Sequence, residues 1–466
     1  MKHRLVAVVL AAGQGTRFKS GRAKVLHPLL GKSMLRLTLD TIRALRPDRI
    51  VVVVGHQKDD VMREAEGPGV SFACQKERLG TAHAVMAARP ALRKDEAADV
   101  LIINADLPIL RPGTLRPLIA LHRRKGHALT FLTADLEDPS GFGRIVRGER
   151  GLRIVEEREA SPAERALREV NAGVYVFKAA DLLRALPRVS NKNSKGEYYL
   201  TDLVEILQRQ RTKVGLLKTS AADEILGINT RWELAKAAAV LRDRKLKALA
   251  EDGVGFADTA ATWVDIEATI GPDTTIGPGV VIEGRTTIGA RCRIAPYAHI
   301  KDSVLGDGVE VRTATVIEGC LLEAGSGVGP FARLRSGTVI RAGAHVGNFV
   351  EMKKTDFGRG SKAGHLSYLG DAEVGPDVNI GAGTITCNFD GVAKNKTVIG
   401  EGVFIGSGTE LVAPITVGKG AYVAAGSTIT KNVSADALAV ARERQFEKPG
   451  WAAGRRAKHP AHKPKS

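Results

Sequence analysis

The 466-residue sequence predicts an α/β domain with a mixed, mostly parallel sheet, followed by a solenoid of stacked triangular coils built from hexapeptide repeats. Two observations carry the prediction. Apolar runs alternate with helical patterns over the first 230 residues, starting with Arg4–Leu10, which runs directly into Gly13-Gln14-Gly15. From about Val264 to Ile429 an aliphatic residue returns every sixth position, usually followed by Gly. Ile270, Ile276, Ile282, Ile288, Ile294 and Ile300 keep this period, as do Val316, Leu322, Val328, Leu334, Ile340, Val346 and Met352. Val374 and Ile380 continue it, and Ile399, Ile405, Leu411, Val417, Val423 and Ile429 finish it. Six residues make one short strand and a corner, so three hexads make a coil whose neighbours stack about 4.8 Å apart. The aliphatic residue fills the prism. The Gly after it stands where a side chain would crowd the bend or where positive φ is needed.

Length and composition bound the reading. A chain of 466 residues exceeds a single core, so at least two domains are expected. Gly is high at 51 residues, much of it in the repeat, and no window approaches the 18 or more apolar residues of a membrane span. The apolar segment Leu5–Ala12 is too short for a signal peptide, which points to a cytoplasmic protein without membrane insertion. The four cysteines have no metal spacing and fit free thiols in a reducing compartment. A net charge of +18 raises the question of nucleic acid. Part of the charge lies at the C-terminus, on Arg455, Arg456, Lys458, Lys463 and Lys465, and the rest is dispersed as Arg on predicted helices without aromatic platforms; attraction of phosphorylated small molecules uses it better, and no specific nucleic acid is expected.

In chain order, Leu10, Ala11, Ala12, Gly13, Gln14, Gly15, Thr16 and Arg17 form a strand end and Gly-rich turn suited to cradling phosphate, with Arg17 in reach of its oxygens. The turn lacks the dinucleotide spacing and the GKS or GKT ending of an ATPase loop, so a nucleotide loop of another type is expected. Lys24 is a candidate phosphate contact, and Ser33–Ala44 reads as a helix. Ile50–Val54 and Phe72–Cys74 are further strands; Gln75 and Gly80-Thr81 follow at a strand end, with Thr81 a candidate helix cap. Val100–Ile103 ends in Asn104-Ala105-Asp106, and a carboxylate after a buried strand suits a magnesium or phosphate site as well as an ordinary turn. Gly143, Glu156 and Asn171 sit where later strands meet turns, Gly196–Asp202 starts another helix, and Asn229 closes the domain before the helix Arg231–Ala250. In the solenoid the text between Met352 and Val374 reads as an insertion carrying Lys353, Lys354, Arg359, Lys362, His365 and Tyr368, and insertions in solenoids often make binding surfaces.

The chain resembles, over nearly its whole length, the bacterial bifunctional enzymes with N-acetylglucosamine-1-phosphate uridylyltransferase and glucosamine-1-phosphate N-acetyltransferase activities. Leu10-Ala11-Ala12-Gly13-x-Gly15-Thr16-Arg17 with Lys24 marks sugar-nucleotide pyrophosphorylases; Asn348–Lys354, Lys362–Leu366 and Gly381–Asn388 look specific to the bifunctional family. The resemblance implies a Rossmann-like nucleotidyltransferase domain over 1–231, a linker helix over 232–252, a left-handed parallel β-helix over 253–449 and a disordered basic tail over 450–466. It implies a UDP-N-acetylglucosamine site of Leu10, Ala11, Ala12, Gly13, Lys24, Gln75, Gly80, Thr81, Asn104, Ala105, Asp106, Gly143, Glu156, Asn171 and Asn229, with Mg²⁺ on Asp106 and Asn229 and with Arg17 and Lys24 suited to the phosphoryl chemistry. For acetyl transfer it implies His365 as general base, Arg335, Lys353, Tyr368, Asn379 and Lys394 around the sugar phosphate, and Ala382, Asn388, Phe389, Ser407, Ala425 and Arg442 along acetyl-CoA. Substrates would be glucosamine 1-phosphate, N-acetylglucosamine 1-phosphate, UTP and acetyl-CoA, and the assembly a homotrimer. Two positions depart from the family pattern: Ala105 replaces the usual Gly, and Phe389 stands where Tyr is common, removing a hydrogen bond worth about 0.5–1.5 kcal/mol. The alternative is a pyrophosphorylase for another sugar or nucleotide whose solenoid is not catalytic.

Overall fold

The computed structural model describes residues 4–148 and 151–459, which divide into two compact units at Lys245/Leu246. In the first unit the strands of the large sheet are β1 (Leu5–Leu10), β2 (Arg49–Val54), β3 (Val70–Cys74), β4 (Asp99–Asn104), β5 (Leu129–Asp135), β6 (Arg144–Gly148), β7 (Gly151–Val155), β8 (Glu169–Lys178) and β9 (Val214–Thr219). Their order in the sheet is β9-β5-β8-β4-β1-β2-β3, with the β6–β7 hairpin joined to β8. All neighbours along the path are parallel except β8, which runs antiparallel to both β4 and β5. Strand β1 is buried on both faces: Leu5, Ala7 and Val9 enter one apolar cluster and Val6 and Val8 the other. Such continuous apolar runs are what a central parallel strand requires.

The predicted helix after the first turn spans Met34–Arg43, capped by Ser33 Oγ accepting from the Arg36 amide at 3.0 Å. The helix at Thr81–Ala87 departs from expectation. Its N-cap is Gly80, and the Thr81 hydroxyl accepts instead from the Leu200 amide at 3.0 Å, because a second chain segment lies against that end. The segment from Gly196 is a turn leading to a single 3₁₀ turn, Leu200–Asp202, before the helix Leu203–Arg209. The long helix runs Arg231–Glu251.

The second unit is a parallel β-helix of three sheets with 11, 10 and 9 strands, in which each strand pairs with the one a full coil away. The inward aliphatic residues form one continuous core from Val264 to Ile429. Two expectations about its period are corrected. Ile317, not Val316, fills the prism, being fully buried while Val316 faces outward. The reason is that some coil sides carry five residues instead of six: Ile300 to Leu305, Ile317 to Leu322, Met352 to Phe357 and Leu369 to Val374. Each tightened side leads from the 10-stranded sheet to the 9-stranded one, so strand register survives each slip. The stretch between Met352 and Val374 is therefore no insertion. Phe357, Ala363 and Leu369 fill the core there as fully buried residues on ordinary strands. The real interruption lies later, between the inward Thr386 and Ile399.

The glycines that follow the inward residues answer to crowding. At Gly271 an added Cβ would stand 2.7 Å from the Ala290 amide nitrogen of the next coil, at an ordinary φ. Positive φ occurs elsewhere on the corners, at Asp302 and Lys354 among others. The tail, expected to lack structure, carries the helix Trp451–Lys458, in which Arg455 packs 5.4 Å over the Trp451 ring; the expectation for residues beyond His459 lies outside the described residues. Among the described residues no helix is long and apolar enough to cross a membrane.

Candidate functional site

In the first unit, the C-terminal ends of β1, β3 and β4 open onto a cleft of about 420 Å³. Its lining includes Leu10, Ala11, Ala12, Gly13, Lys24, Gln75, Gly80, Thr81, Asn104, Asp106 and Glu156. This is where ligands collect in parallel sheets, because loops diverge beyond the strand ends. Lys24 is the charged centre, only 8% exposed. Its ammonium donates to Asp106 Oδ2 at 2.6 Å and Asn229 Oδ1 at 3.2 Å, partners 82 and 205 residues away in sequence. Gly15 makes the approach possible, since a Cβ there would stand 2.7 Å from Lys24 Cβ and its φ is +66°. Asn229 is brought in by the Ile228 amide, which donates to the Asp106 carbonyl at 3.0 Å. Glu233 then fixes the turn by accepting from the amides of Asn229 and Thr230 at 2.6 and 2.8 Å.

Of Gly143, Glu156 and Asn171, only Glu156 lines the cleft, while Gly143 and Asn171 lie beside each other outside the lining. The Asn171 amide nitrogen of the backbone donates to Gly143 O at 2.8 Å, and the Asn171 side chain donates to Tyr175 Oη at 2.7 Å. Burial pushes the Glu156 carboxyl above the usual range against the opposing hydrogen bond from Thr201, 3.0 Å away. Burial, then Glu156 and Glu205, push Asp202 up to about 6. Ala105 is buried behind the lining, and Arg17 lies exposed on the 3₁₀ turn Thr16–Phe18, outside the lining. Arg78, Lys195, Glu197 and Tyr199 also line the cleft and escaped the sequence reading. The Gly in Ser194-Lys195-Gly196-Glu197 marks a turn, but nothing local shows that the chain leaving it bonds the Leu79–Gly80 loop beyond β3, as the Tyr198 amide does to Leu79 O at 2.7 Å. Arg144 was likewise missed. This arginine is 1% exposed, donates to the carbonyls of Phe142 and Arg165, and pairs with Glu157 Oε2 at 2.8 Å, so it ties the Gly143 turn to the strand end bearing Glu156.

In the second unit, His365 stands exposed at the corner between the 11- and 10-stranded sheets. Its Nδ1 lies 2.6 Å from Oδ1 of Asn348, the residue in register one coil earlier. An amide oxygen only accepts, so the ring proton sits on Nδ1 and Nε2 keeps its lone pair. The corner is held by Ser367 Oγ, which donates to the carbonyls of His365 and Gly381 at 2.9 and 3.2 Å. Arg335, Lys353 and Tyr368 lie on consecutive strands of the 10-stranded sheet, with Arg335 donating to Glu351 at 2.9 Å. Asn379 lies around the corner on the 11-stranded sheet, beside Lys362. Ala382, Ser407 and Ala425 continue the His365 corner on successive coils, and Arg442 follows at its end. Four coil steps give the column a length of about 19 Å.

The loop that interrupts the repeat carries Asn388, Phe389 and Lys394. Asp390 organises it, accepting from the amides of Val392 and Ala393 and the side chain of Asn395 at 2.7–2.8 Å. Those bonds hold the Asp390 carboxyl down at about 2. Lys394 Nζ lies 4.7 Å from the Phe389 ring centre, so the aromatic face keeps a role although the hydroxyl is gone. Asn388 Nδ2 donates to Asp371 Oδ2 at 2.5 Å, tying the loop to the 10-stranded sheet's edge.

Comparison with known proteins agrees with both halves. Residues 7–250 match the MobA-like NTP transferase domain, 263–356 the GMPPB C-terminal domain, and 396–431 the bacterial transferase hexapeptide family. Over 96% of its length the chain is 46% identical to 98% of the bifunctional protein GlmU of Pelobacter propionicus. It is also 46% identical, over 96% of each chain, to that of Brevibacillus brevis, and 44% identical to that of Koribacter versatilis over 96% of this chain and 97% of the relative.

Proposed function

Because the chain belongs to the bifunctional GlmU family of acetyl- and uridylyltransferases that produce UDP-N-acetylglucosamine, we propose that its two units divide that activity between the cleft and the solenoid corner. The observation that carries this reading is the convergence of Lys24, Asp106 and Asn229 in the cleft. Two side-chain oxygens directed at one ammonium are the hard donor set a divalent cation takes, and Asp106 and Asn229 fit Mg²⁺. Bound there, Mg²⁺ supplies neutralisation of triphosphate charge. Lys24, released from Asp106, turns its ammonium to the phosphate oxygens. The uracil nucleotide lies along Leu10–Gly13, Gln75 and Gly80-Thr81, and the sugar phosphate against Gly143, Glu156 and Asn171. A phosphate oxygen of N-acetylglucosamine 1-phosphate attacks the α-phosphorus of UTP, the bond to the bridging oxygen breaks, and pyrophosphate leaves. Alignment and charge carry this step. Arg17 reaches the phosphates only by swinging in from its exposed turn.

At the corner, the amine of glucosamine 1-phosphate attacks the thioester carbon of acetyl-CoA. Its proton passes to His365 Nε2, the C–S bond breaks, and the departing sulfur takes that proton back from the imidazolium, so that CoA leaves as the thiol. Arg335, Lys353, Tyr368, Asn379 and Lys394 bind the sugar phosphate. The extended cofactor follows Ala382, Ser407 and Ala425 past Asn388 and Phe389 to Arg442. In one chain these residues face around a corner, and Tyr297, Phe331, Phe349 and Leu366, each more than half exposed at positive φ, run along it. Large apolar side chains held in strained, solvated positions suit burial against further copies, and the assembly is a homotrimer acting in the cytoplasm. Phe331→Asp is expected to reduce the sedimentation mass from three chains to one and to remove acetyl transfer alone; a monomeric unmodified protein overturns the assembly.

The reading is tested by assaying products with glucosamine 1-phosphate, acetyl-CoA, UTP and Mg²⁺, omitting one component at a time. Without UTP, N-acetylglucosamine 1-phosphate should accumulate. No acetylated product there would favour a pyrophosphorylase with a non-catalytic solenoid.

A further inference from the structure

Gln75 is 5% exposed, continues β3 through its amide bond to Val54 O at 2.8 Å, and lines the cleft. Its side-chain Nε2 makes two contacts at 3.1 Å, to the Gly80 carbonyl and to His83 Nδ1. A carbonyl oxygen only accepts, so the end of Gln75 facing Gly80 is the NH₂ group. Its second hydrogen meets the Nδ1 lone pair of His83, which places the imidazole proton on Nε2. Both donors of Gln75 are then used inside the protein, while no described residue donates to its Oε1. The framework is firm. Gly80 has φ +102° with Tyr198 N 2.9 Å from where its Cβ would stand, the Ala82 amide donates to Tyr198 O at 2.9 Å, and the His83 and Tyr198 rings stack at 6.1 Å.

We propose that His83 is a specificity-determining positioning residue, holding the Gln75 amide so that only its oxygen is offered to the nucleobase. This rests on the reading of the cleft as the nucleotide site, with the cation Lys24 at the phosphates and the neutral amide at the base. An acceptor at that place selects a pyrimidine with hydrogen on N3. Uracil carries that hydrogen; cytosine presents a lone pair at N3, which would face the Gln75 oxygen with no proton between them. His83 acts through Gln75 and does not touch the base. It blocks the flip that would offer cytosine an N–H.

The test measures kcat/KM for UTP and for CTP with N-acetylglucosamine 1-phosphate in the full-length protein, following pyrophosphate release. His83→Leu, which cannot accept, is expected to lower the UTP-to-CTP ratio about tenfold, the order of effect of freeing one hydrogen-bonded group. His83→Asn, whose Oδ1 can stand in for Nδ1, should restore most of the ratio. Equal losses for both nucleotides in His83→Leu, or no rescue by His83→Asn, would overturn the proposal and leave His83 a packing residue. Gln75→Ala separates the two levels: an unchanged KM for UTP removes the cleft reading itself, whereas a raised KM with an unaltered ratio in His83→Leu removes only the role of His83.

Discussion

Replacing His365 with Ala is expected to lower acetyl transfer by about 10²–10⁴-fold, the range of a positioned general base, and to leave uridylyl transfer unchanged. The amine must lose a proton as it attacks, and the contact from Asn348 at 2.6 Å directs the proton-accepting lone pair outward on Nε2. Stability should hold, because His365 is exposed and fills no core. Asn348→Ala separates orientation from chemistry. Without its acceptor the ring can take the other tautomer, so kcat for acetyl transfer should fall about tenfold with little change in KM, a fraction of the His365→Ala loss. Rates of both products, measured on protein of unchanged melting temperature, decide it. Loss of both activities in His365→Ala would end the assignment of separate sites.

Asp106→Asn is the mirror experiment. Uridylyl transfer should fall by about 10²–10³-fold, the scale of losing one preorganised electrostatic group, with acetyl transfer intact. Asn is the better first substitution, since Asp106→Ala leaves the nearly buried Lys24 ammonium with Asn229 as its remaining partner. Removing one member of a buried pair costs stability as well as activity. Asp106→Ala should therefore lower the melting temperature more than Asp106→Asn, which keeps an acceptor for the ammonium, and both should lose uridylyl transfer alone. An active Asp106→Asn protein at unchanged Mg²⁺ requirement would remove Asp106 from the metal site.

The departure at Ala105 is explained by the fold. Its side chain is buried behind the cleft, and its amide donates to Leu10 O at 3.0 Å as the ladder requires, so the extra methyl joins the core beneath the site. At Phe389 the missing hydroxyl leaves the ring face in use by Lys394.

The sequence by itself determined which residues face inward over most of the solenoid, the order of strands and helices in the first unit, and the motifs of both sites. Each of these is a local matter: side-chain period, turn chemistry, or a run of residues read together. What it misread were the places where a short-range rule meets a neighbour distant in sequence. A five-residue coil side looks like a broken period until the strands on either side are seen to pair in register, which is why an ordinary coil between Met352 and Val374 resembled an insertion and the loop from Asn388 did not. Thr81 has the composition of a cap, but the Leu200 amide takes its hydroxyl. Tertiary structure alone decided that Lys24, Asp106 and Asn229 meet, that Arg144 stands buried against Glu157 and the Arg165 carbonyl, and that His83 meets Gln75. These contacts are made by side chains from turns, helices and strand ends far apart in the chain, and only the packing of the unit fixes the distances between them.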